Sequence, residues 1–181
     1  MERVTALHVT VAQAADIEEI ADVAGQTFPL ACPPSATAEN IAAFIAANLS
    51  AENFRAYVAD PERVVLVARD GNTVVGYAML IHGVPDDADV QRAVALRPTV
   101  ELSKIYVLPS SHGGVVSAAL MAAAVDYAVQ HGAASMWLGV NNQNQRAQRF
   151  YVKQGFAVTG TKSFQLGADV EHDFVLTRAL T

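Results

Sequence analysis

Fifty-six consecutive residues, Glu101 to Phe156, alternate strand and helix signals without interruption, and that order admits few folds. Glu101–Leu108 (ELSKIYVL) is an apolar-rich strand stopped by Pro109. The turn Ser110-Ser111-His112-Gly113-Gly114 leads into the helical stretch VVSAALMAAAVDYAVQ, which ends before His131 and Gly132. Ser135–Val140 (SMWLGV) reads as a buried strand, Asn144–Gln154 as a second helix capped by Gly155, and Phe156 opens the next strand. A strand here feeds a helix N-terminus through a flexible turn.

That geometry has a chemical consequence. A helix that starts at a glycine turn presents up to four unpaired backbone N–H groups and the positive end of its dipole, which suits a phosphate or pyrophosphate. The candidate anion cradle is His112, Gly113, Gly114, Val115, Val116, Ser117 and Ala118. The same segment lacks the lysine of a nucleotide-hydrolysing P-loop and the full glycine pattern of a dinucleotide turn.

The rest of the chain reads as further strands and helices. Leu7–Val11 alternates as a strand, and Ala15–Thr27 follows as a helix with Ile17, Ile20, Ala21 and Ala24 on one face. Phe28–Ser35 holds three prolines and reads as non-helical, with Thr37 capping a helix near Ala38–Leu49. This loop and helix would wall a pocket through Phe28 and Phe44, or those rings are simply core. Arg63–Ala68 and Thr73–Ile81 flank Asp70-Gly71-Asn72 as a hairpin. Gly83–Pro98 reads as a flexible acidic connection facing either a cationic substrate or solvent. Phe156–Gln165 and Glu171–Arg178 form a second hairpin. The expected fold is α/β (α+β), one domain over residues 1–181, with a mixed twisted sheet of about seven strands and helices on both faces.

Composition narrows the partners. A formal charge of −6 and an isoelectric point near 5.2 disfavour nucleic acid and anionic membrane surfaces and would suit a cationic substrate. The longest apolar run, Val115–Val125, is short of the roughly 20 residues of a bilayer span. No basic start and apolar core of a signal peptide opens the chain, so a cytoplasmic location is expected. Cys32 is the only cysteine and has no basic neighbour in its LACPP context, which favours a structural role. The five histidines show no paired helical spacing, so no metal is expected.

Taken with its closing RFYVKQGF, the Glu101–Phe156 segment resembles the GNAT superfamily of acyl-CoA-dependent N-acetyltransferases, whose cofactor strand, phosphate loop and tyrosine-bearing helix fall in this order. TFPLACPP (Thr27–Pro34), WLGV (Trp137–Val140) and TGTKSFQLG (Thr159–Gly167) are similar to its bacterial spermidine/spermine branch. The phosphate loop departs from the family pattern Gln/Arg-x-x-Gly-x-Gly/Ala, with His112 at the first position, Val115 at the first glycine and Ser117 at the last. A β-branched Val115 would hinder backbone approach to a pyrophosphate, while Gly113 and Gly114 would supply room and Ser117 a hydroxyl donor.

The resemblance implies acetyl-CoA as co-substrate, Tyr151 as general acid to the departing thiolate, and Glu101 as general base through water, unless Glu101 is merely an exposed strand start. It further implies that backbone groups of Ile105, Tyr106 and Val107 hold the pantetheine arm, with Asn144 on the other side. Lys153 would reach the phosphate end, or remain a solvated helix lysine. The expected acceptor is a polyamine or similar small cationic amine. The alternatives are a protein lysine or N-terminus, and a non-catalytic acyl-CoA-binding sensor. A homodimer through an exposed strand is a further expectation.

Overall fold

A computed structural model describes residues 6–111 and 113–180. Seven strands form one mixed sheet: β1 (Leu7–Val11), β2 (Arg63–Asp70), β3 (Thr73–His82), β4 (Thr99–Val107), β5 (Ser135–Asn141), β6 (Ala157–Leu166) and β7 (Asp169–Ala179), in the order β1-β2-β3-β4-β5-β7-β6. All neighbours are antiparallel except β4 and β5. The two hairpins turn at Gly71 and Gly167, whose positive φ values of 63° and 61° are strained for side-chain-bearing residues.

Helices cover both faces, as expected from the alternating pattern. On one face α5 (Gly113–Gln130) buries Val116, Leu120, Met121, Ala124 and Ala128 against Leu102, Met136 and Leu138, and α6 (Gln145–Lys153) adds Ala147, Phe150 and Tyr151. On the other, α1 (Ile17–Ala31), α2 (Ala38–Asn48) and α3 (Ala51–Ala59) pack through Ile20, Phe28, Phe44 and Phe54 onto Val65, Val67, Tyr77 and Met79. Fully burying one such side chain stabilises by about 1.5 to 3 kcal/mol, so each layer is held by many contributions.

Three expectations are corrected. Helix α1 does not stop at Thr27 but continues through Pro29 to Ala31. Pro29 lies in the last turn and removes a single N–H, and continuation places Phe28 in the core. Residues after Asn48 start a further helix, α3, whose N-cap Ser50 and Asn53 cap each other reciprocally. The acidic stretch before β4 is not irregular throughout: Asp87 caps α4 (Ala88–Ala93), and Val90 and Ala93 bury against Trp137. Its acids serve the helix, since Asp89 pairs with Arg92 at 2.5 Å. No described helix is long and apolar enough to cross a membrane.

The sheet parts where β4 meets β5. Their parallel pairing comprises only Thr99–Ser135, Val100–Met136 and Glu101–Trp137. Beyond Glu101, β4 follows β3 and β5 follows β7, and each leaves one edge without a strand partner. The β3–β4 register skips Ser103, pairing Met79 with Lys104 and Leu80 with Leu102, so a bulge lies just past the parting point.

Candidate active site

The parted strands open a cleft of about 640 Å³ that runs between the two helical layers. Its wall on the β4 side is continuous from Glu101 to Val107, and Gly139, Val140 and Asn141 of β5 face it. Leu108 donates its N–H to the Val75 carbonyl at 2.9 Å, and Gly76–Val107, Tyr77–Tyr106 and Ala78–Ile105 continue that register. Alternation along an antiparallel pair then commits the backbone of Tyr106 to β3, while the N–H and C=O of Ile105 and Val107 turn to the open edge. A strand-like ligand could therefore pair with Ile105 and Val107, and the expected backbone role of Tyr106 does not fit this register.

One end of the cleft reaches the start of α5. Gly114 and Ser117, three residues apart on one helix face, line it. A Cβ added to Gly114 would meet nothing within 4 Å, so the space over the first turn is open. Val115 is 65% exposed and not part of the lining, so its branch does not crowd the cleft. Val116 points into the core and Ala118 is exposed away from the cleft. His112 lies outside the described residues, and Gly113 supplies the first helical backbone unit. Lys153 is exposed and away from the lining, whereas Arg146, on the first turn of α6, faces it.

Tyr151 enters the cleft from α6, held by packing between Phe150 and Phe156 at centroid distances of 5.5 and 6.1 Å. The helix is fixed at its start by Asn144, whose Oδ1 accepts from the Ala147 N–H at 3.2 Å, and at its end by Gly155 with φ of 90°. That cap leaves the Asn144 amide N–H2 directed at no protein acceptor among the described residues. The Tyr151 hydroxyl likewise has no hydrogen-bond partner there. Burial, with the neighbouring Tyr106 phenol, pushes its pKa above the ordinary phenol value, so it holds its proton throughout the neutral range.

The opposite mouth is aromatic and charged. Phe28 stacks on Phe44 at 4.5 Å, and Phe164 approaches Phe44 at 5.4 Å. Glu101, Glu171 and Asp173 supply three carboxylates, and Lys104 and Lys162 two ammonium groups. Lys162 pairs with Asp173 at 3.4 Å, with side chains only 15% and 9% exposed. Burial raises the Glu101 carboxyl above its usual value, although Lys162, Lys104 and Arg63 pull it back. Burial equally raises Asp173 against the pull of Lys162, and lowers Lys104. Cys32, which donates Sγ–H to the Phe28 carbonyl at 3.3 Å, is pushed up to about 11 by burial and then by Glu171, which leaves it a poor nucleophile.

The cleft thus gathers Phe28, Glu101, Ile105, Val107, Gly114, Ser117, Asn144 and Tyr151 from four elements, α1, β4, α5 and α6 with its N-cap. Lys104, Lys162, Glu171, Asp173 and Arg146 were not singled out from sequence. They come from β4, β6, β7 and α6, and only the alternation of β6 and β7 toward one face could have suggested the grouping. The described residues contain no cluster of three His, Cys, Asp or Glu able to hold a metal ion.

Residues 27–156 match the acetyltransferase (GNAT) family. The chain is 51% identical over 165 residues to an uncharacterized N-acetyltransferase of Mycobacterium tuberculosis, covering 91% of this chain and 98% of that protein. Among solved structures it resembles the PaiA N-acetyltransferase of Thermoplasma acidophilum in complex with coenzyme A, with a TM-score of 0.76, 19% identity and coverage of 96% and 99%. It also resembles the ribosomal-protein-alanine N-acetyltransferase of Brucella melitensis, with a TM-score of 0.71, 20% identity and coverage of 96% and 99%. The chain belongs to the acetyltransferase (GNAT) family and is an acetyl-CoA-dependent N-acetyltransferase.

Proposed function

We propose that this member of the family moves the acetyl group of acetyl-CoA directly to the primary amine of a small molecule, with Tyr151 as general acid. The carrying observation is the parting of β4 and β5, which turns the free backbone edge of Ile105 and Val107 and the hydroxyl of Tyr151 into one cleft. The fit to the co-substrate is good. An extended amide-bearing arm finds strand-edge partners in Ile105 and Val107 and an amide donor in Asn144. The pyrophosphate finds open space and unpaired N–H groups over Gly113, Gly114 and the first turn of α5, with the Ser117 hydroxyl and Arg146 at hand.

The acceptor enters from the aromatic mouth at Phe28, Phe44 and Phe164. As its nitrogen bonds to the thioester carbonyl carbon and the C–S bond breaks, Tyr151 passes its phenolic proton to the departing sulfur. Glu101, reached through water, takes the proton that the nitrogen sheds. The two residues suit these opposite tasks: Tyr151 keeps its proton, while the Glu101 carboxyl is moved from its ordinary value toward neutrality.

The sequence resemblance points to a polyamine or similar cationic amine as acceptor, and three carboxylates in the mouth support attraction of an ammonium group. Lys104 and Lys162 stand among them, however, and local charge is close to balanced. That balance favours one amine at a time over a polycation.

The test is amine-dependent release of CoA from acetyl-CoA, run alongside direct acetyl-CoA binding, for wild type and Tyr151→Phe. The Phe variant keeps the ring packing and loses a hydroxyl that has no hydrogen-bond partner among the described residues, so its stability should match wild type. Its turnover should fall by about 10² to 10⁴ with little change in acceptor KM. A fall below threefold removes Tyr151 from the role, and tight acetyl-CoA binding with no amine-dependent release overturns the amine reading in favour of a sensor.

A further inference from the structure

The cations of the acceptor mouth are not equivalent. Lys162 is neutralised by Asp173, and Arg63, on β2 and outside the cleft lining, by Asp60 at 3.1 Å. Lys104 has neither an ion pair nor a hydrogen-bond acceptor among the described residues. Its ammonium stands 6.0 Å from the centroid of the Phe44 ring, on the cleft wall rather than the outer surface. An ammonium held in such a place loses water with only the Glu101 carboxylate, beyond ion-pair distance, to offset that loss, and a ligand anion at contact distance would complete the compensation.

Its position fixes what that ligand must look like. The bulge at Ser103 returns Lys104 to the same face of β4 as Glu101, two net residues further along, so the two side chains are rooted roughly 7 Å apart. Glu101 marks the amine end of the acceptor, and Lys104 marks a point several bonds away.

We propose that the acceptor carries a carboxylate as well as an amine, and that Lys104 binds this carboxylate. The class is a small amino acid whose reacting amine is separated from its carboxylate by several carbons. Phe44 and Phe28 cover the intervening methylenes, and Glu101 and Asp173 face the amine. A polyamine fits this wall poorly, since its second ammonium would face the Lys104 ammonium. The inference rests on the amine-acetylation reading above and adds the second functional group of the acceptor.

The experiment uses acceptors that differ by that group alone: lysine against cadaverine, and ornithine against putrescine, with lysine amide to remove the charge but not the bulk. CoA release and equilibrium binding to the CoA-loaded protein are measured for wild type, Lys104→Met and Lys104→Arg. The wild type should prefer each amino acid to its decarboxylated partner by about tenfold in kcat/KM and in affinity, the lower range of a charge-assisted contact. Lys104→Met should bring that ratio near unity through KM, and Lys104→Arg should restore most of it. Lysine amide should behave as cadaverine does. A wild-type preference for the diamines, a ratio unchanged in Lys104→Met, or no binding of either amino acid overturns the inference while amine acetylation stands. No CoA release with any amine overturns the reading beneath it, and Lys104-dependent lysine binding then still decides whether this anion site exists.

Discussion

Gly139 is the residue whose change reads out the buried charge pair most directly. It lies on β5 facing the cleft, and a Cβ there would come within 2.5 Å of the Lys162 Cε and 3.3 Å of an Asp173 carboxylate oxygen. Carbon–carbon contact needs about 3.5 to 4.0 Å, so Gly139→Ala drives Cε back by roughly 1 Å or more. The flexible end of Lys162 must yield, and as Nζ is carried with it the 3.4 Å contact with Asp173 is strained toward the limit of ion-pair range. Breaking a buried pair costs about 3 to 5 kcal/mol, and water entering from the cleft lowers that figure. Replacing glycine in an ordinary strand conformation would otherwise stabilise by about 0.4 to 1 kcal/mol. The net expectation is a loss of up to about 2 kcal/mol at pH 7, read by urea denaturation. In a Lys162→Ala background Cε is gone, and the same substitution should be neutral or slightly stabilising. The cost should also shrink on acidification: Asp173 already sits above the ordinary carboxylate range, and once it is protonated no ion pair remains to be broken. An equal cost in both backgrounds, or one independent of pH, would refute the argument.

Glu101 should show the opposite balance. Burial raises its carboxyl, so the folded state favours the protonated form and ionisation costs stability as pH rises from about 4 through the raised value. Glu101→Gln should therefore raise Tm at pH 7, with the gain vanishing below about pH 4, while lowering kcat/KM; a Tm that falls at pH 7 would contradict this. The acidic limb of wild-type kcat/KM should lie above the usual carboxylate range, as a base that must be ionised requires. Cys32, raised from 9.0 to about 11, should react with iodoacetamide at pH 7.5 about 100-fold more slowly than an unperturbed thiol. Labelling as fast as free thiol would show that Cys32 is neither buried nor held to the Phe28 carbonyl.

How legible all this was depends on whether the deciding interaction was local. The hairpin at Asp70-Gly71, the Thr37 cap and the α6 segment with Gly155 behind it are set within a few residues, and the structure has them as the sequence suggested. The Ser50–Asn53 cap is equally local, a Ser followed three residues later by Asn directly after the Ala38–Leu49 helix stretch, but it lacks the Glu or Gln that marks the usual capping box. The run of α1 through Pro29 was not local: it depends on Phe28 finding Phe44 and the β-sheet core. Within the site, Glu101, Ile105, Val107 and Tyr151 lie in one readable stretch. Lys162 and Asp173 meet only because β6 and β7 pair Lys162 with Asp173 across the ladder, and Lys104 joins their face only because of the Ser103 bulge. The net charge of −6 suggested a cationic acceptor, yet the mouth itself is nearly balanced, because net charge carries no information about where charges converge.

The perturbed groups of this mouth also bear on the hardest part of the reaction. A primary amine with a pKa near 10.4 is neutral about once in 10³ at pH 7, which leaves roughly 4 to 5 kcal/mol to be supplied before nitrogen can attack. Lys104 is itself a primary amine in this wall, and its pKa is lowered chiefly by desolvation. An acceptor amine seated between Phe28, Phe44 and Glu101 meets the same loss of water, so the cleft shifts it in the direction the reaction needs before any base acts. Glu101 is pushed the other way by the same cause and becomes a stronger proton acceptor. One physical effect, exclusion of water by the aromatic wall, thus weakens the proton's hold on the amine and strengthens its hold on the carboxylate. If that is the division of labour, opening the wall by Phe44→Ala should lower kcat/KM most at low pH and least near pH 10, where the free amine is already abundant. A pH-independent loss would assign Phe44 to acceptor binding alone.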